Sequence, residues 1–321
     1  MNAPGRNADL WRLRTRTLQL GARTLVMGVV NITPDSFSDG GLFLDPEAAV
    51  VHALELIEEG ADLLDLGAES TRPGSRAGGA PDSSNPPADH PNDKDLSLGA
   101  PAVSAEEEQA RLLPVLEGIL SVRPNAIISV DTYKAATARA ALECGAEIIN
   151  DVSGFAWDAE MAAVCAESGA GMVLMHTRGR PREWRTLPKL APDALLAEVR
   201  AGLAASLAAA TAAGIPLEAI VLDPGYGFGK RLDENYTLLA RQAELLALGR
   251  PLLAGVSRKS FLGHTLAPLS GDASVEARET ASLAAMTAAI LNGASIVRVH
   301  AVRQAVEAAR IADAILAASQ P

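Results

Sequence analysis

Short apolar segments recur along the chain, and each is followed by a longer stretch in which apolar residues repeat at helical spacing. The short segments show little alternation with polar residues, which is typical of strands buried on both faces of a parallel sheet. They are TLVMGVV (24–30), ADLLDLG (61–67), AIISV (126–130), EIIN (147–150), GMVLM (171–175), AIVLD (219–223), PLLAGV (251–256) and SIVRV (295–299). These eight strand–helix units predict an α/β fold of the (β/α)8 TIM-barrel type. A doubly wound open sheet is the alternative, but it usually has fewer strands.

Two segments fall outside this repeat. The segment LQLGARTLVMG (18–28) predicts a short N-terminal strand–turn–strand that leads into the barrel. Residues 75–103 are rich in Pro, Gly, Ser, Asn and Asp, so they cannot bury enough apolar surface to offset the entropy lost on ordering. We therefore expect a long, mobile, disordered insertion after the second barrel strand, within a single domain that spans residues 1–321.

Charge and composition limit the function classes. The 321 residues carry a formal net charge of −11, which argues against a nucleic-acid-binding surface. No apolar run approaches the roughly 18–20 residues expected of a membrane span, and no signal-peptide core follows the N-terminal arginines. Cys144 and Cys165 both lie in Ala-rich helical stretches, where two free thiols are favoured over a disulfide. Together these features predict a cytoplasmic protein that binds neither nucleic acid nor membrane.

Polar or charged residues end every predicted barrel strand. In TIM barrels the active site lies at the carboxyl ends of the strands. The residues at these positions are Asn31, 69–72, Asp131, Asn150, Asp151, His176, Asp223, 257–259, Arg298 and His300. Some of them can instead cap the following helix, and His176 fits a structural role as well as a functional one. Polar groups at all eight strand ends nevertheless favour a functional site.

One subset of these residues offers mainly hydrogen-bond acceptors. Asp131 and Asp223 present carboxylates, and the amide of Asn150 both accepts and donates. Together with a lysine, this set suits a flat heterocycle that carries amino and ring N–H donors beside a carbonyl acceptor.

A second subset is cationic. Arg258 and Lys259 follow the seventh strand, whereas Arg298 and His300 flank the end of the eighth. The loops after these two strands are the usual phosphate site of TIM barrels, and Arg binds phosphate oxygens bidentately. We therefore expect an anionic ligand here, apart from the acceptor subset. Substitution of Arg298 or His300 is then expected to weaken binding of the anion and to spare the heterocycle.

The run GYGFGK (225–230) resembles a glycine-rich phosphate loop but lacks the spacing and the Ser/Thr of a Walker motif. Its glycines are interpreted as allowing close backbone approach, with Lys230 reaching the ligand. The first strand is followed by no His-x-His, and the sequence has no Cys/His cluster, which argues against a zinc hydrolase.

Seven motifs, in order along nearly the whole chain, resemble those of the dihydropteroate synthases, a pterin-binding family. They are MGVVNITPDSFSDGG (27–41), ESTRPG (69–74), SVDTYK (129–134), INDVSG (149–154), LDPGYGFGK (222–230), GVSRKS (255–260) and IVRVH (296–300). The insertion is the main departure, and Tyr226 stands where a family Phe is common. The resemblance implies condensation of 7,8-dihydropterin-6-ylmethyl diphosphate with 4-aminobenzoate, which gives 7,8-dihydropteroate and diphosphate.

The resemblance also implies three substrate subsites, one metal ion and a set of catalytic residues. The pterin residues are Asp131, Asn150, Met175, Asp223, Phe228 and Lys259. The diphosphate residues are Asn31, Thr71, Arg72, Arg298 and His300. The 4-aminobenzoate residues are Thr33, Pro34, Phe37, Arg72, Ser257 and Lys259. The residue that holds Mg²⁺ is Asn31. The residues with catalytic roles are Asn31, Asp35, Lys259, Arg298 and His300.

In the family mechanism the diphosphate leaves first, and the pterin ring delocalises the charge left on the methylene. The long loop after the first strand is then expected to act as a lid with Asp35 near the developing cation. The resemblance further implies a homodimer through the late Ala-rich helices. The alternatives are a non-catalytic pterin-binding protein, a pterin-dependent methyltransferase module and a Schiff-base aldolase that uses Lys259.

Overall fold

Eight parallel strands close into a barrel in the computed structural model, which describes residues 9–33, 45–69, 103–270 and 274–319. The barrel strands are β3 (Leu25–Asn31), β4 (Leu63–Gly67), β5 (Ile128–Asp131), β6 (Ile148–Asp151), β7 (Gly171–Met175), β8 (Ile220–Asp223), β9 (Leu252–Ala254) and β10 (Ala294–Val299). Each strand pairs with its neighbour in chain order, and β10 returns to pair with β3. The predicted (β/α)8 barrel is confirmed.

Helices surround the barrel and connect successive strands. They are α1 (Pro46–Glu58), α2 (Ala105–Val122), α3 (Ala135–Glu143), α4 (Met161–Ser168), α5 (Pro192–Ala212), α6 (Leu232–Ala240), α7 (Ser260–Ser270), α8 (Glu279–Leu291) and α9 (Val302–Ala318). The start of α2 is capped by Ser104, whose Oγ accepts from the backbone N–H of Glu107 at 3.2 Å.

Side-chain alternation along the strands separates the barrel interior from the helix-facing layer. On β3, Leu25 and Met27 belong to the cluster inside the barrel. Val26 and Val30 instead belong to the outer cluster, together with Leu56 of α1. Both faces of the strand are therefore buried, which explains why its sequence is apolar without alternation.

A short antiparallel pair, β1 (Asp9–Arg12) and β2 (Thr17–Leu20), closes the amino-terminal end of the barrel. Trp11 is fully buried there, and its indole N–H donates to the carbonyl of Ala219 at 3.0 Å. The predicted N-terminal strand pair is confirmed, but its partner assignment is corrected. Residues 24–28 cannot pair with β2 because β3 is already bonded to β10 and β4.

Helix α5 meets the length and composition of a membrane span, which corrects the prediction that no segment does. Its most apolar 18-residue window has a mean hydropathy of 1.3, and a third of that window is buried. Leu195, Val199 and Leu203 on this helix join the outer apolar cluster of the barrel. The alanine content that raises its hydropathy thus belongs to a helix packed on the barrel.

The predicted insertion at 75–103 lies outside the described residues except for its last residue. The chain segments on either side of the gap meet each other, because the backbone N–H of Val103 donates to Oε1 of Glu69 at 3.4 Å. A residue shortly before α2 and a residue shortly after β4 are therefore joined directly by one hydrogen bond. That residues 1–321 form a single domain stays a prediction.

Candidate active site

The strand register aligns several predicted site residues along the carboxyl edge of the barrel. Asn31 lies opposite Gly67, Gly67 lies opposite Asp131, and Asp131 lies opposite Asn150. A Cβ atom at position 67 would lie 3.6 Å from Cβ of Asp131. A side chain at position 67 would therefore contact Asp131, and the glycine places no side chain between Asn31 and Asp131.

Arg298 lies between two acids rather than apart from them, which corrects the expected separation of the cationic and acceptor subsets. Its Nη2 donates to Oδ2 of Asp131 at 2.9 Å, and its Nε donates to Oδ2 of Asp65 at 2.6 Å. Arg298 points into the barrel from β10, where a guanidinium buried to this degree needs carboxylate partners. The strand pattern alone does not show that β4 and β5, neither of which is bonded to β10, supply these carboxylates.

Asp65 is a site residue that the sequence analysis missed. It lies in the middle of β4, and its side chain is fully buried. Besides Arg298, its Oδ2 also accepts from Nδ2 of Asn150 at 3.0 Å. A carboxylate inside an apolar strand was the available signal, because such a group must find partners within the barrel.

Burial and neighbouring charges shift the ionisation of the central acid and lysine. Burial raises the pKa of Asp131 to about 7, against the opposing effect of Arg298 and Lys259. Burial, reinforced by the charge of Arg298, lowers the pKa of Lys259 to about 8. Burial also raises the pKa of Asp223, although the backbone N–H of Gly225 donates to its Oδ1 at 2.7 Å. The site thus holds groups that titrate near neutral pH.

An apolar wall borders these polar groups. Met175 lies in a small buried cluster with Tyr133 and Val152, and Phe228 and Trp157 pack against that cluster. The Met175 backbone lies opposite Asp223 across β7 and β8. Nζ of Lys259 lies 4.1 Å from the centre of the Phe228 ring, a cation–π distance.

Ser257 and His300 form a second polar group, in addition to the one around Asp131 and Arg298. Oγ of Ser257 and Nδ1 of His300 lie 2.9 Å apart, and the side chains come from the loops after β9 and β10. Arg258 is directed away from this pair, because its Nε donates to Glu279 at 3.1 Å and its backbone N–H donates to Ser282. The expectation that Arg258 contributes to the anion site does not fit this geometry.

Lys230 does not reach toward a ligand, and that prediction is wrong. Its buried Nζ donates to the carbonyls of His176 and Gly225 at 2.8 and 2.7 Å. Gly225 has φ of 72°, and a Cβ there would lie 2.0 Å from the His176 oxygen. Lys230 therefore stabilises a turn that only glycine can form.

The environment of His176 favours its structural role. Burial, together with Lys230 and Arg178, lowers its pKa to about 2, so the imidazole is neutral. The ring packs closely against Gly202 of α5.

A buried ionic group holds Glu69, which lies in the loop after β4. Nζ of Lys134 lies 2.5 Å from Oε2 of Glu69 and 3.0 Å from Oε2 of Glu108. Thr137 also donates to the same Glu108 oxygen. Five predicted site residues, in the loops after β3 and β4, lie outside the described residues. They are Pro34, Asp35, Phe37, Thr71 and Arg72. Thr33 is described and follows β3 by two residues.

Comparison with known proteins relates this site to one family. A model of the family described as pterin binding enzyme matches residues 27–82 and 97–300. The dihydropteroate synthase of Escherichia coli K12 is 40% identical over 295 residues, which cover 92% of this chain and 93% of that one. The Xanthomonas albilineans dihydropteroate synthase solved with 4-aminobenzoic acid has a TM-score of 0.80 and 38% identity, covering 97% of this chain and 99% of the other.

A second Xanthomonas albilineans structure, in complex with 7,8-dihydropteroate, has a TM-score of 0.76 at 37% identity. It covers 96% of this chain and 99% of its own. The matches span the barrel and both chains almost completely. This chain belongs to the pterin-binding enzyme family and, within it, to the dihydropteroate synthases.

Proposed function

We propose that this chain condenses 7,8-dihydropterin-6-ylmethyl diphosphate with 4-aminobenzoate to give 7,8-dihydropteroate and diphosphate. The observation that carries this proposal is the convergence of the acceptor side chains with Lys259 and Arg298 at one end of the barrel. The relatives solved with 4-aminobenzoic acid and with 7,8-dihydropteroate support the choice of substrates.

The pterin ring is assigned to the pocket around Asp131, Asn150 and Asp223. The pterin amino group and ring N–H groups are donors, which the oxygens of these three side chains accept. Lys259, a cation, donates a hydrogen bond to the pterin carbonyl or to a ring nitrogen. The apolar side of the same pocket, with Phe228, covers the face of the ring.

The diphosphate is assigned to the side of the site with Arg298 and His300, together with Asn31, Thr71 and Arg72. A guanidinium has five N–H donors, and Asp65 and Asp131 occupy only part of them. The remaining N–H groups of Arg298 are therefore available to phosphate oxygens while the arginine stays fixed by its acids.

Asn31 fits the role of the protein ligand for Mg²⁺. Its amide oxygen is a hard donor at the end of β3, opposite Gly67, which has no side chain. Mg²⁺ commonly takes one or two protein ligands and completes its shell with water and substrate phosphates. When bound, the ion would neutralise charge on the diphosphate.

In the proposed reaction the bond from the pterin methylene to the diphosphate oxygen breaks, and a bond to the aminobenzoate nitrogen forms. The nitrogen loses one proton, and the diphosphate leaves with the bonding electron pair. Arg298 and His300 stabilise the departing anion, because preorganised charge is worth most in a site that excludes water. The aminobenzoate is assigned to Ser257, Thr33 and Lys259. From the sequence we add Pro34, Phe37 and Arg72 to this subsite, and we propose a catalytic role for Asp35.

We also propose a homodimer and a cytoplasmic location. Helix α9 exposes 64% of Ile311 and 48% of Ile315, which is apolar surface that a second copy would cover. Cys144 and Cys165 are both free, as predicted, which fits a reducing compartment.

Product analysis tests the proposed function. The protein is incubated with both substrates and Mg²⁺, and dihydropteroate is measured by mass. An Asp223→Ala variant is the matched control and should bind the pterin poorly. A wild-type protein that binds pterin tightly and forms no product would instead be a pterin-binding protein.

A further inference from the structure

Asp65 is linked to two proposed substrate-binding residues through a single oxygen. Its Oδ2 accepts from Nε of Arg298 at 2.6 Å and from Nδ2 of Asn150 at 3.0 Å. The side chain has no exposed surface. Asp65 therefore lies behind the residues that face the pocket and is out of reach of a ligand.

The contact with Asp65 fixes the orientation of the Asn150 amide. Oδ2 of Asp65 is an acceptor, because Nε of Arg298 donates to it, so the group of Asn150 that faces the same oxygen must be the NH₂. The carbonyl oxygen of Asn150 is consequently directed away from Asp65. With this orientation Asn150 presents an acceptor beside Asp131, and a reversed amide would present a donor there.

Folding stability does not explain a carboxylate at this position. Oδ1 of Asp65 is buried and has no hydrogen-bond partner among the described residues. The same is true of Oγ of Ser129, which lies directly opposite on β5. A buried carboxylate with one unsatisfied oxygen destabilises a fold more than an unpaired hydroxyl does, so Asp65, and not Ser129, calls for a functional explanation.

We propose that Asp65 is a positioning residue, which orients Asn150 as a hydrogen-bond acceptor for the pterin and holds Arg298 against Asp131. This inference rests on the proposed function for the identity of the ligand. Asp65 itself has no contact with the substrate in this role. Its effect is therefore expected in pterin affinity and in the charge state of the pocket.

The charge of Asp65 also acts on Asp131. The charged groups that face Asp131 are Arg298 and Lys259, which lower its pKa, and Asp65 and Glu108, which raise it. Neutralising Asp65 removes one of the two raising charges. The pKa of Asp131 should then fall, and pterin affinity should persist to lower pH than in the wild type.

The test measures the affinity for a free 6-hydroxymethyl-7,8-dihydropterin by calorimetry across the pH range around neutrality. Asp65→Asn replaces the charged, accept-only partner of Asn150 and Arg298 with a neutral amide that can accept or donate, so it no longer fixes the Asn150 amide. We expect this variant to weaken binding at least about tenfold at neutral pH. The acid limb of its affinity profile should also move to lower pH. The matched control is Ser129→Ala, which changes the opposite buried residue without touching Asn150 or Arg298 and should stay within about twofold of wild type.

A paired exchange keeps the test decisive if Asp65→Asn folds poorly. In Asp65→Asn with Asn150→Asp, the amide and carboxylate exchange places, and the second carboxylate oxygen still faces the pterin as an acceptor. This double variant should bind the pterin at least about tenfold more tightly than Asn150→Asp alone, which places two carboxylates against each other. Equal affinities in these two proteins, or a folded Asp65→Asn with wild-type affinity and an unmoved acid limb, would overturn the positioning role.

The wild-type control separates this inference from the proposed function. Wild type that binds the pterin but forms no dihydropteroate contradicts the proposed reaction and leaves the role of Asp65 to be judged from the binding data. Wild type that forms dihydropteroate, beside an Asp65→Asn variant that behaves identically, contradicts the positioning role alone.

Discussion

Nη2 of Arg298 donates to Oδ2 of Asp131 at 2.9 Å, so a cation assigned to the diphosphate is bonded to an acid assigned to the pterin. The two proposed subsites therefore share a charged hydrogen bond. A change at one of them is expected to alter the other, because both the geometry and the ionisation of Asp131 depend on Arg298.

Substitution of Arg298 and of His300 should consequently have different effects. Arg298→Ala removes a charge that lowers the pKa of Asp131, so it should weaken both free pterin and pterin diphosphate by about 1.5–3 kcal/mol. His300→Ala lacks this link and should weaken only the diphosphate substrate. Calorimetry with the two ligands distinguishes the variants, and a pterin affinity that Arg298→Ala leaves intact would restore the separate subsites expected from sequence.

Pterin binding should depend on pH on both sides of a narrow optimum. Asp131 accepts best when ionised, so affinity should fall as the pH drops below about 7. Lys259 donates as a cation, so affinity should also fall as the pH rises above about 8. A binding profile measured by calorimetry reports both limbs.

The matched variant for this profile is Lys259→Arg, which keeps the positive charge at all accessible pH values. It should shift the alkaline limb upward and leave the acid limb in place. An alkaline limb that stays unchanged in Lys259→Arg would assign it to a group other than Lys259.

Lys259 should act as a hydrogen-bonding cation and not as a covalent amine. Its Nζ lies over the Phe228 ring, and the proposed reaction contains no carbonyl chemistry that requires an imine. Borohydride treatment in the presence of either substrate should therefore leave the protein mass unchanged. A reduced adduct that maps to Lys259 would support a Schiff-base aldolase.

Shortening the insertion should preserve the fold and most of the turnover. The bond between Val103 and Glu69, and that between Glu69 and Lys134, hold the two ends of the segment together without its interior. Loop closure changes by only about 0.6 kcal/mol per doubling of length. Replacing residues 76–101 with a short Gly-containing link should thus leave the melting temperature unchanged and alter aminobenzoate affinity a few-fold at most.

The readouts for this variant are thermal melting and dihydropteroate formation. A shortened protein that melts normally but forms no dihydropteroate would show that the insertion is needed for catalysis.

The barrel could be predicted from sequence because its strands carry a strong and repeated signal. The strand at 171–175 was predicted with the observed bounds, since an apolar run between two helices leaves little choice. The partner of β2 was not predictable in the same way, because β3 reads equally well as a hairpin strand and as a barrel strand. Only the closure of the barrel decides between them.

The site was predictable where a side chain ends a strand and not where its partners come from distant strands. Asp131 and Asp223 end β5 and β8, and the sequence pattern found both. Asp65 lies in the middle of β4, so a search limited to the ends of strands does not find it. Lys230 lies in a glycine-rich run that suggests a ligand, but its actual acceptors are backbone carbonyls that no sequence pattern identifies.

In the proposed reaction this barrel transfers the pterin methylene from diphosphate to the nitrogen of 4-aminobenzoate. The most direct test follows dihydropteroate and diphosphate together in one reaction that contains the wild-type protein, both substrates and Mg²⁺. We predict that the two products appear in equal amounts and that omission of 4-aminobenzoate abolishes dihydropteroate. Tight pterin binding with neither product formed would contradict this reaction.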